Sequence, residues 1–326
     1  MVRRMKIADF HCDLLSYLAG DPTRTVENPE SRASVGQMRK GGIVLQTLAV
    51  FTETKAESTK LGEAQLKAFE SLKKRAVFQK EIYPLLAVEN ASGFCEEFEP
   101  LEKGLKRLER WLDAAGSIGY ISFTWNQENR FGGGNASDTG IKADGERLLE
   151  WMEGKKIAID LSHTSDALAH DILNTIDEKG LTIIPVASHS NFRSIVDHPR
   201  NLPDEIAQEI FKRKGVVGLN FVRPFLGTEP EDFLRQIEHA EKLGGLNHLC
   251  FGADFFYDGD SPPELDYLKP FFLERFDDAS CYPRLIELLR TKLTHPQMEK
   301  ISHLNLLKLL KSTGSLPMAS SFPSIA

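Results

Sequence analysis

The chain has 326 residues, of which 41% are apolar and 27% charged, with a formal net charge of −7. That balance gives a globular protein with a large core and excludes extended disorder as its default state. The acidic excess opposes the attraction to phosphate on which nucleic-acid binding depends, so the expected partners are small molecules and not nucleic acid.

The four cysteines, Cys12, Cys95, Cys250 and Cys281, form no CxxC pair, which argues against both a thiolate metal site and a disulfide framework. No apolar run approaches the roughly 18 to 20 residues that a membrane span needs, and the basic start, residues 1–6, has no apolar stretch behind it. A cytoplasmic protein with no membrane partner is the expectation.

In chain order, a first β-rich run at 7–11 leads into Asp9-Phe10-His11-Cys12-Asp13. An insertion rich in Pro, Ser, Arg and Glu follows at 20–39. A second strand is predicted at 43–51, then an amphipathic helix at 56–78, and a third strand at 83–89 that ends on Glu89. A helix at 101–114 precedes a fourth strand at 118–124, after which a second insertion, 125–141, carries Gly132-Gly133-Gly134. Helix 144–153, strand 157–161 and Ser162-His163 come next, then helix 165–178, strand 183–187 and Ser188-His189-Ser190. Helix 204–214, strand 216–221, helix 231–243 and a last strand, 249–253, end at Asp254. From 312 to 326 the chain is Ser- and Pro-rich and reads as a C-terminal tail, packed on the domain or flexible.

Eight βα repeats predict an α/β protein of a single (β/α)8 TIM barrel over residues 1–311, since an open doubly wound sheet would need a reversal of strand order that the sequence does not announce. Neither GxGxxG nor GxxxxGK[ST] occurs, so the phosphate-cradling turns of dinucleotide and P-loop folds are missing. Ionisable residues stand at the C-terminal ends of five of the eight runs, the face on which barrel enzymes assemble their sites. One such residue is usually a loop hydrogen-bonder. Several imidazoles and carboxylates converging on one mouth are costly without a counter-charge, and a dication supplies it. Mixed N/O ligation suits Zn²⁺, with Mn²⁺, Co²⁺ or Fe²⁺ also compatible.

The segments DFHCDLL, LLAVEN, IDLSH, ASHSN, HPRNLPDE, GLNFVRPFL, FGADF and NLLKLL resemble, in order, the motifs of the membrane (renal) dipeptidase family. The resemblance runs from about Ile7 to Leu310. It implies a zinc metallopeptidase with two Zn²⁺ per chain: His11 and Asp13 on the first metal, His163 and His189 on the second, and Glu89 bridging both. It further implies that Arg200 contacts the substrate's C-terminal carboxylate, that Asp254 is the catalytic acid of the eighth strand, and that the protein is a homodimer. Where animal relatives have a substrate-contacting histidine on the fourth strand, this chain has Trp125, which bears on substrate preference. Asn90 replaces the Gly that relatives often carry after the bridging acid.

The implied reaction is hydrolysis of a dipeptide, possibly an L,D-dipeptide, by a hydroxide bridging two Zn²⁺, with Asp254 moving the proton to the departing amine. Other amidohydrolase-type reactions on lactones, cyclic amides or phosphoesters remain alternatives, as does a non-hydrolytic biosynthetic relative. Trp125 reads equally as a substrate wall or as a loop packing residue, and Asp9 is expected to orient a ligand imidazole. His170, His239, His248, His295 and His303 read as surface or helix-packing residues.

Overall fold

Eight short strands carry the architecture: β1 (Ile7–Asp9), β2 (Ile43–Phe51), β3 (Tyr83–Glu89), β4 (Ile118–Ser122), β5 (Ala158–Asp160), β6 (Pro185–Val186), β7 (Val217–Leu219) and β8 (Leu249–Phe251). The computed structural model describes residues 4–261 and 263–316. Every pairing is parallel, in the order β6-β5-β4-β3-β2-β1-β8-β7. A parallel bridge between Ala187 and Val217 joins the two ends, so the sheet closes into a barrel.

The predicted strands are present; β2 and β3 end where expected, and the other six stop one or two residues early. The chain leaves the ladder before His11, His163, His189 and Asp254, which places those side chains on loops at the mouth. The predicted helix 56–78 is two helices, Ser58–Lys73 and Ala76–Lys80, because Arg75 takes an extended conformation with ψ 139° and interrupts the α turn. Helices Leu101–Ala115, Ala143–Met152, Asp166–Glu178, Asp204–Lys212 and Asp232–Lys242 lie within two residues of their predicted ends.

Inside the barrel, Ala8, Phe10, Leu45, Leu85, Ala87, Tyr120, Ala158, Val186, Val216 and Cys250 form one buried cluster. Leu306, Leu307, Leu309 and Leu310 from the last helix, Asn305–Thr313, complete it. Because Leu45, Leu85, Ala158 and Val216 all lie within two residues of a strand start, this helix plugs the end opposite the mouth. Asn305 anchors it by donating from Nδ2 to the Leu249 and Leu246 carbonyls. Truncating fully buried Leu306 to Ala would cost about 2 to 5 kcal/mol. Of the predicted tail, Ser312 and Thr313 still belong to this helix, and Ser315 donates to the Lys156 carbonyl at 2.8 Å. Residues 317–326 lie outside the described residues.

Two close approaches fix the mouth beside β6. A Cβ on Gly218 or Gly252 would lie 2.0 or 1.9 Å from the Ser188 carbonyl oxygen, so only glycine lets the chains following β6, β7 and β8 pack this tightly. That contact sets the height at which His189 enters the barrel.

Candidate metal centre

Six side chains converge at the C-terminal mouth: His11 and Asp13 after β1, Glu89 at the end of β3, His163 after β5, His189 after β6 and Asp254 after β8. All are buried, none more than 9% exposed. His163 and Asp254 have φ of 65° and 64°, a left-handed conformation that turns both side chains sharply back over the barrel. Each such backbone costs on the order of 1 kcal/mol and is held by its surroundings.

Glu89 stands at the centre. Its Oε2 lies 3.2 Å from His11 Nε2, while Oε1 lies 3.1 Å from His163 Nε2 and 3.8 Å from His189 Nε2. One carboxylate thus addresses two groups of imidazoles with separate oxygens. On the His11 side, Asp254 Oδ1 is 3.4 Å and Asp13 Oδ2 3.7 Å from the same Nε2. The His163 and His189 Nε2 atoms are 3.0 Å apart, and the His11 and His189 rings stack with centroids 3.7 Å apart.

Each imidazole is held from behind by a different partner. His163 Nδ1 donates to Asn126 Oδ1 at 2.9 Å, which leaves its Nε2 lone pair turned towards Glu89 and His189. His11 Nδ1 meets the Tyr120 hydroxyl at 2.5 Å, and His189 Nδ1 meets the Ser188 hydroxyl at 2.6 Å. The expectation for Asp9 is corrected: its carboxylate touches no imidazole. It accepts instead from the backbone N–H of His11 and Ala253 and from the Tyr282 hydroxyl, because β1 ends at Asp9 and the alternation that would align Asp9 with His11 ends with it.

The electrostatics favour a cation. Burial lowers the His11 pKa, yet Tyr120, Glu89 and Asp13 outweigh it and raise the imidazole well above its ordinary value. Burial pushes His163 down to about 3, and His189 is driven well below its usual range by burial, then by His11 and Arg200. Burial raises Glu89, but His11 and His163 more than reverse this and hold it well below the carboxylate range. Asp254 is pushed up to about 8, first by burial, with Asp13 and Glu89 adding to it. The protein alone therefore sets three carboxylates against one protonatable imidazole. His11 Nε2, Asp13 Oδ1 and Glu89 Oε2 are buried without a hydrogen-bond partner, as donor atoms meant for a metal would be. His11, Glu89 and His189, and likewise His11, Asp13 and Asp254, bring donor atoms within 4.8 Å of one another. The donor set fits divalent cations of the Zn²⁺ type.

Above these donors opens a cavity of about 260 Å³, walled by Phe51, Trp125, Phe225, Phe256 and Phe271 and floored by Asp13, Glu89, His163 and Asp254. Trp125 meets Phe51 edge to face at 5.1 Å and stands 6.2 Å from the His163 ring. Arg200 is not part of the lining: it is 4% exposed, and donates from Nη1 to Ser190 Oγ and from Nη2 to the His189 carbonyl. Its guanidinium lies 5.8 Å from the Phe225 ring, and its buried Nε has no partner.

Asn90, unexplained by sequence, has φ 71°, a value glycine adopts freely and Asn tolerates. Its amide donates to the Thr52 carbonyl and accepts from Ser92 N–H and Asn129, tying the turn after Glu89. Sequence reading also missed Tyr120 and Ser188 as supports and left Asn126 aside, since a Tyr within a strand and a Ser beside a His carry no distinctive pattern. Of the histidines expected at the surface or in helix packing, His239 pairs with Asp204 and His248 meets the Gly215 carbonyl, whereas His303 is buried.

A (β/α)8 barrel with a histidine and carboxylate donor set at its mouth is the class that fold and site define. Residues 1–321 match the model of the membrane dipeptidase family, peptidase family M19, and the chain belongs to that family. Over 211 residues it is 32% identical to an uncharacterized dipeptidase of Schizosaccharomyces pombe, covering 60% of this chain and 47% of that protein. The chain thus spans about half the length of that curated relative. An uncharacterized protein of the pqqA 5′ region of Klebsiella pneumoniae is 29% identical over 287 residues, covering 83% of this chain and 96% of that one. Among solved structures, a metallo peptidase from Rhodobacter sphaeroides, liganded with a phosphinate mimic of the dipeptide L-Ala-D-Ala, superposes with a TM-score of 0.78. It is 19% identical, with 95% of this chain and 99% of that one covered, a likeness of fold.

Proposed function

We propose that the protein is a metal-dependent dipeptidase that holds two Zn²⁺ ions and hydrolyses the peptide bond of dipeptides, L,D-dipeptides among them. The observation that carries this reading is the position of Glu89, with one carboxylate oxygen towards His11 and the other towards His163 and His189. In this reading His11 and Asp13 hold one ion, His163 and His189 the other, and Glu89 reaches both; Mn²⁺, Co²⁺ or Fe²⁺ suit the same donors. Such ions, when bound, polarise a carbonyl and bring the pKa of a water towards neutrality.

The residues of the chain do the rest. Asp254 Oδ2 is held by Asn220 Nδ2 at 2.9 Å, and its raised pKa makes the ionised carboxylate, the form that a neighbouring dication would favour, a ready proton acceptor. It takes the proton of the attacking water as the water oxygen joins the carbonyl carbon, and delivers it to the nitrogen as the C–N bond breaks. Arg200 engages two of its N–H groups within the protein, and its remaining donors are those we assign to the substrate carboxylate. Trp125 and Phe51 form the wall for a substrate side chain.

Inclusion of L,D-dipeptides is supported by the phosphinate mimic of L-Ala-D-Ala bound to the Rhodobacter sphaeroides peptidase of like fold. A homodimer and a cytoplasmic location belong to the same proposal, to be tested by light scattering on the purified protein and by cell fractionation. The deciding experiment is hydrolysis of a mixed L,L and L,D dipeptide library by zinc-reconstituted protein, beside a chelated control. Turnover that disappears on chelation is expected. A protein that holds two zinc ions yet cleaves no dipeptide would direct the assignment to lactones, cyclic amides or phosphoesters.

A further inference from the structure

Beneath His189 lies a carboxylate that the proposed reaction does not use. Asp160, at the end of β5, is completely buried and, among the described residues, has no cation within salt-bridge distance. Its Oδ2 accepts from Ser122 Oγ at 2.6 Å and from Ser188 Oγ at 2.7 Å, and its Oδ1 accepts from the backbone N–H groups of Ser188 at 2.7 Å and Ser162 at 3.1 Å. Four donors around an unpaired buried carboxylate amount to a built site, because removing any of them would leave charge unsatisfied. One of the four, the Ser188 hydroxyl, also lies 2.6 Å from His189 Nδ1.

A serine hydroxyl has one proton. An ionised carboxylate only accepts, so the Ser188 proton points to Asp160, and the lone pairs of Ser188 Oγ are what His189 Nδ1 meets. His189 Nδ1 must then carry the hydrogen, and the lone pair on Nε2 faces the cluster of Glu89, His163 and His11. The order Asp160, Ser188, His189 thus selects one of the two tautomers of the His189 ring.

We propose that Asp160 is a positioning residue that acts through Ser188 to fix His189 in the tautomer able to ligate a metal. This rests on the metal-centre reading above. The other two imidazoles meet other groups directly, His163 meeting Asn126 and His11 meeting Tyr120; Tyr120 also bonds Ser188, but only His189 meets the Ser188 hydroxyl itself, so the effect of Asp160 falls chiefly on the position that His189 serves. Groups that orient a ligating imidazole in this way contribute roughly 10- to 100-fold to metal affinity.

The test is zinc affinity for each equivalent, by competition with a chromogenic chelator, in full-length wild type, Ser188→Ala, Asp160→Asn and Tyr120→Phe. Thermal unfolding of each cation-free protein reports on folding. Ser188→Ala and Asp160→Asn are expected to weaken one equivalent by roughly 10- to 100-fold and the other by much less, while Tyr120→Phe chiefly weakens the other equivalent. Nitrogen-15 spectra of histidine-labelled zinc protein add a second readout: the His189 Nδ1–H resonance should shift or be lost to exchange in Ser188→Ala and stay in place in Tyr120→Phe. Should Asp160→Asn fail to fold, Ser188→Ala with this resonance decides the matter. Unchanged affinity for both equivalents in Ser188→Ala, or an equal fall in both, overturns the proposal. A wild-type protein that takes up no zinc overturns the metal-centre reading itself, which is a distinct result.

Discussion

Replacing Glu89 with Gln should separate the stability of the folded chain from the affinity of its site. In the cation-free protein, Asp13, Glu89 and Asp254 surround one protonatable imidazole, and Asp13 and Asp254 both have raised pKa values to which Glu89 contributes. Removing one of three crowded carboxylates relieves repulsion as well as deleting a partner, so the cation-free variant should lie within about 1 kcal/mol of wild type. With zinc the comparison inverts. Zinc at 1,000 times its Kd stabilises wild type by about 4 kcal/mol. Because Glu89 addresses both halves of the cluster, each position loses a charged donor. A loss of about 100-fold in affinity removes about 2.7 kcal/mol of that stabilisation. For a chain of this size that is a Tm difference of roughly 4 °C, present only with metal. Calorimetry of both proteins with and without zinc, alongside metal analysis after dialysis, makes the measurement. A variant that binds two equivalents with wild-type Tm gain, or one already several kcal/mol less stable without metal, would refute the bridging assignment.

Three further outcomes follow from the same geometry. Arg200→Met should reduce kcat/KM on dipeptides by about 100-fold or more while sparing neutral amide substrates, and equal losses on both would place Arg200 beneath His189 as a support only. Trp125→Ala opens the wall shared with Phe51 and should raise KM for dipeptides with bulky apolar side chains more than for Ala-Ala; an even change across substrates would assign Trp125 to loop packing. His303, buried in the π-helical turn Lys300–Leu304, has its pKa pushed down to about 4 by burial, below its unfolded value near 6.5. The unfolded chain therefore binds the extra proton first. Stability is full above about pH 6.5 and declines as pH falls towards 4, by roughly 1 to 2 kcal/mol after discounting the solvent-facing part of the ring. Urea unfolding of cation-free His303→Gln should show a flatter decline than wild type, and parallel curves would remove His303 as the source.

Periodicity was enough to locate all eight strands and the main helices that link β2 to β8, because apolar spacing is a local property, but it missed short helices such as Leu14–Gly20 and Val35–Gly41 and the helices after β8. The metal-ligand candidates were legible for a related reason: residues at the C-terminal ends of parallel strands share one mouth, whatever their separation in sequence. The order of the motifs then connected His11, Asp13, Glu89, His163 and His189 to one family. What sequence could not show is how each of these side chains is held. The break at Arg75, the early end of β1 and the left-handed turns at Asn90, His163 and Asp254 depend on neighbours far along the chain. Asp9 illustrates the limit: alternation placed it beside His11, whereas the fold gave its carboxylate to Tyr282, 273 residues away.

The sequence by itself thus determined the barrel, the family and the chemical types at the mouth, since these follow from local patterning and the order of short motifs. Only the tertiary structure decided that Tyr120, Asn126 and Ser188 stand behind the three imidazoles, that Arg200 turns its fork onto the His189 carbonyl, and that Glu89 divides its oxygens between the two sides. The physical reason is that a hydrogen bond is fixed by directions and distances of a few tenths of an ångström. Those are set by how strands and glycines pack, as at Gly218 and Gly252 against Ser188, and no spacing along the chain encodes them.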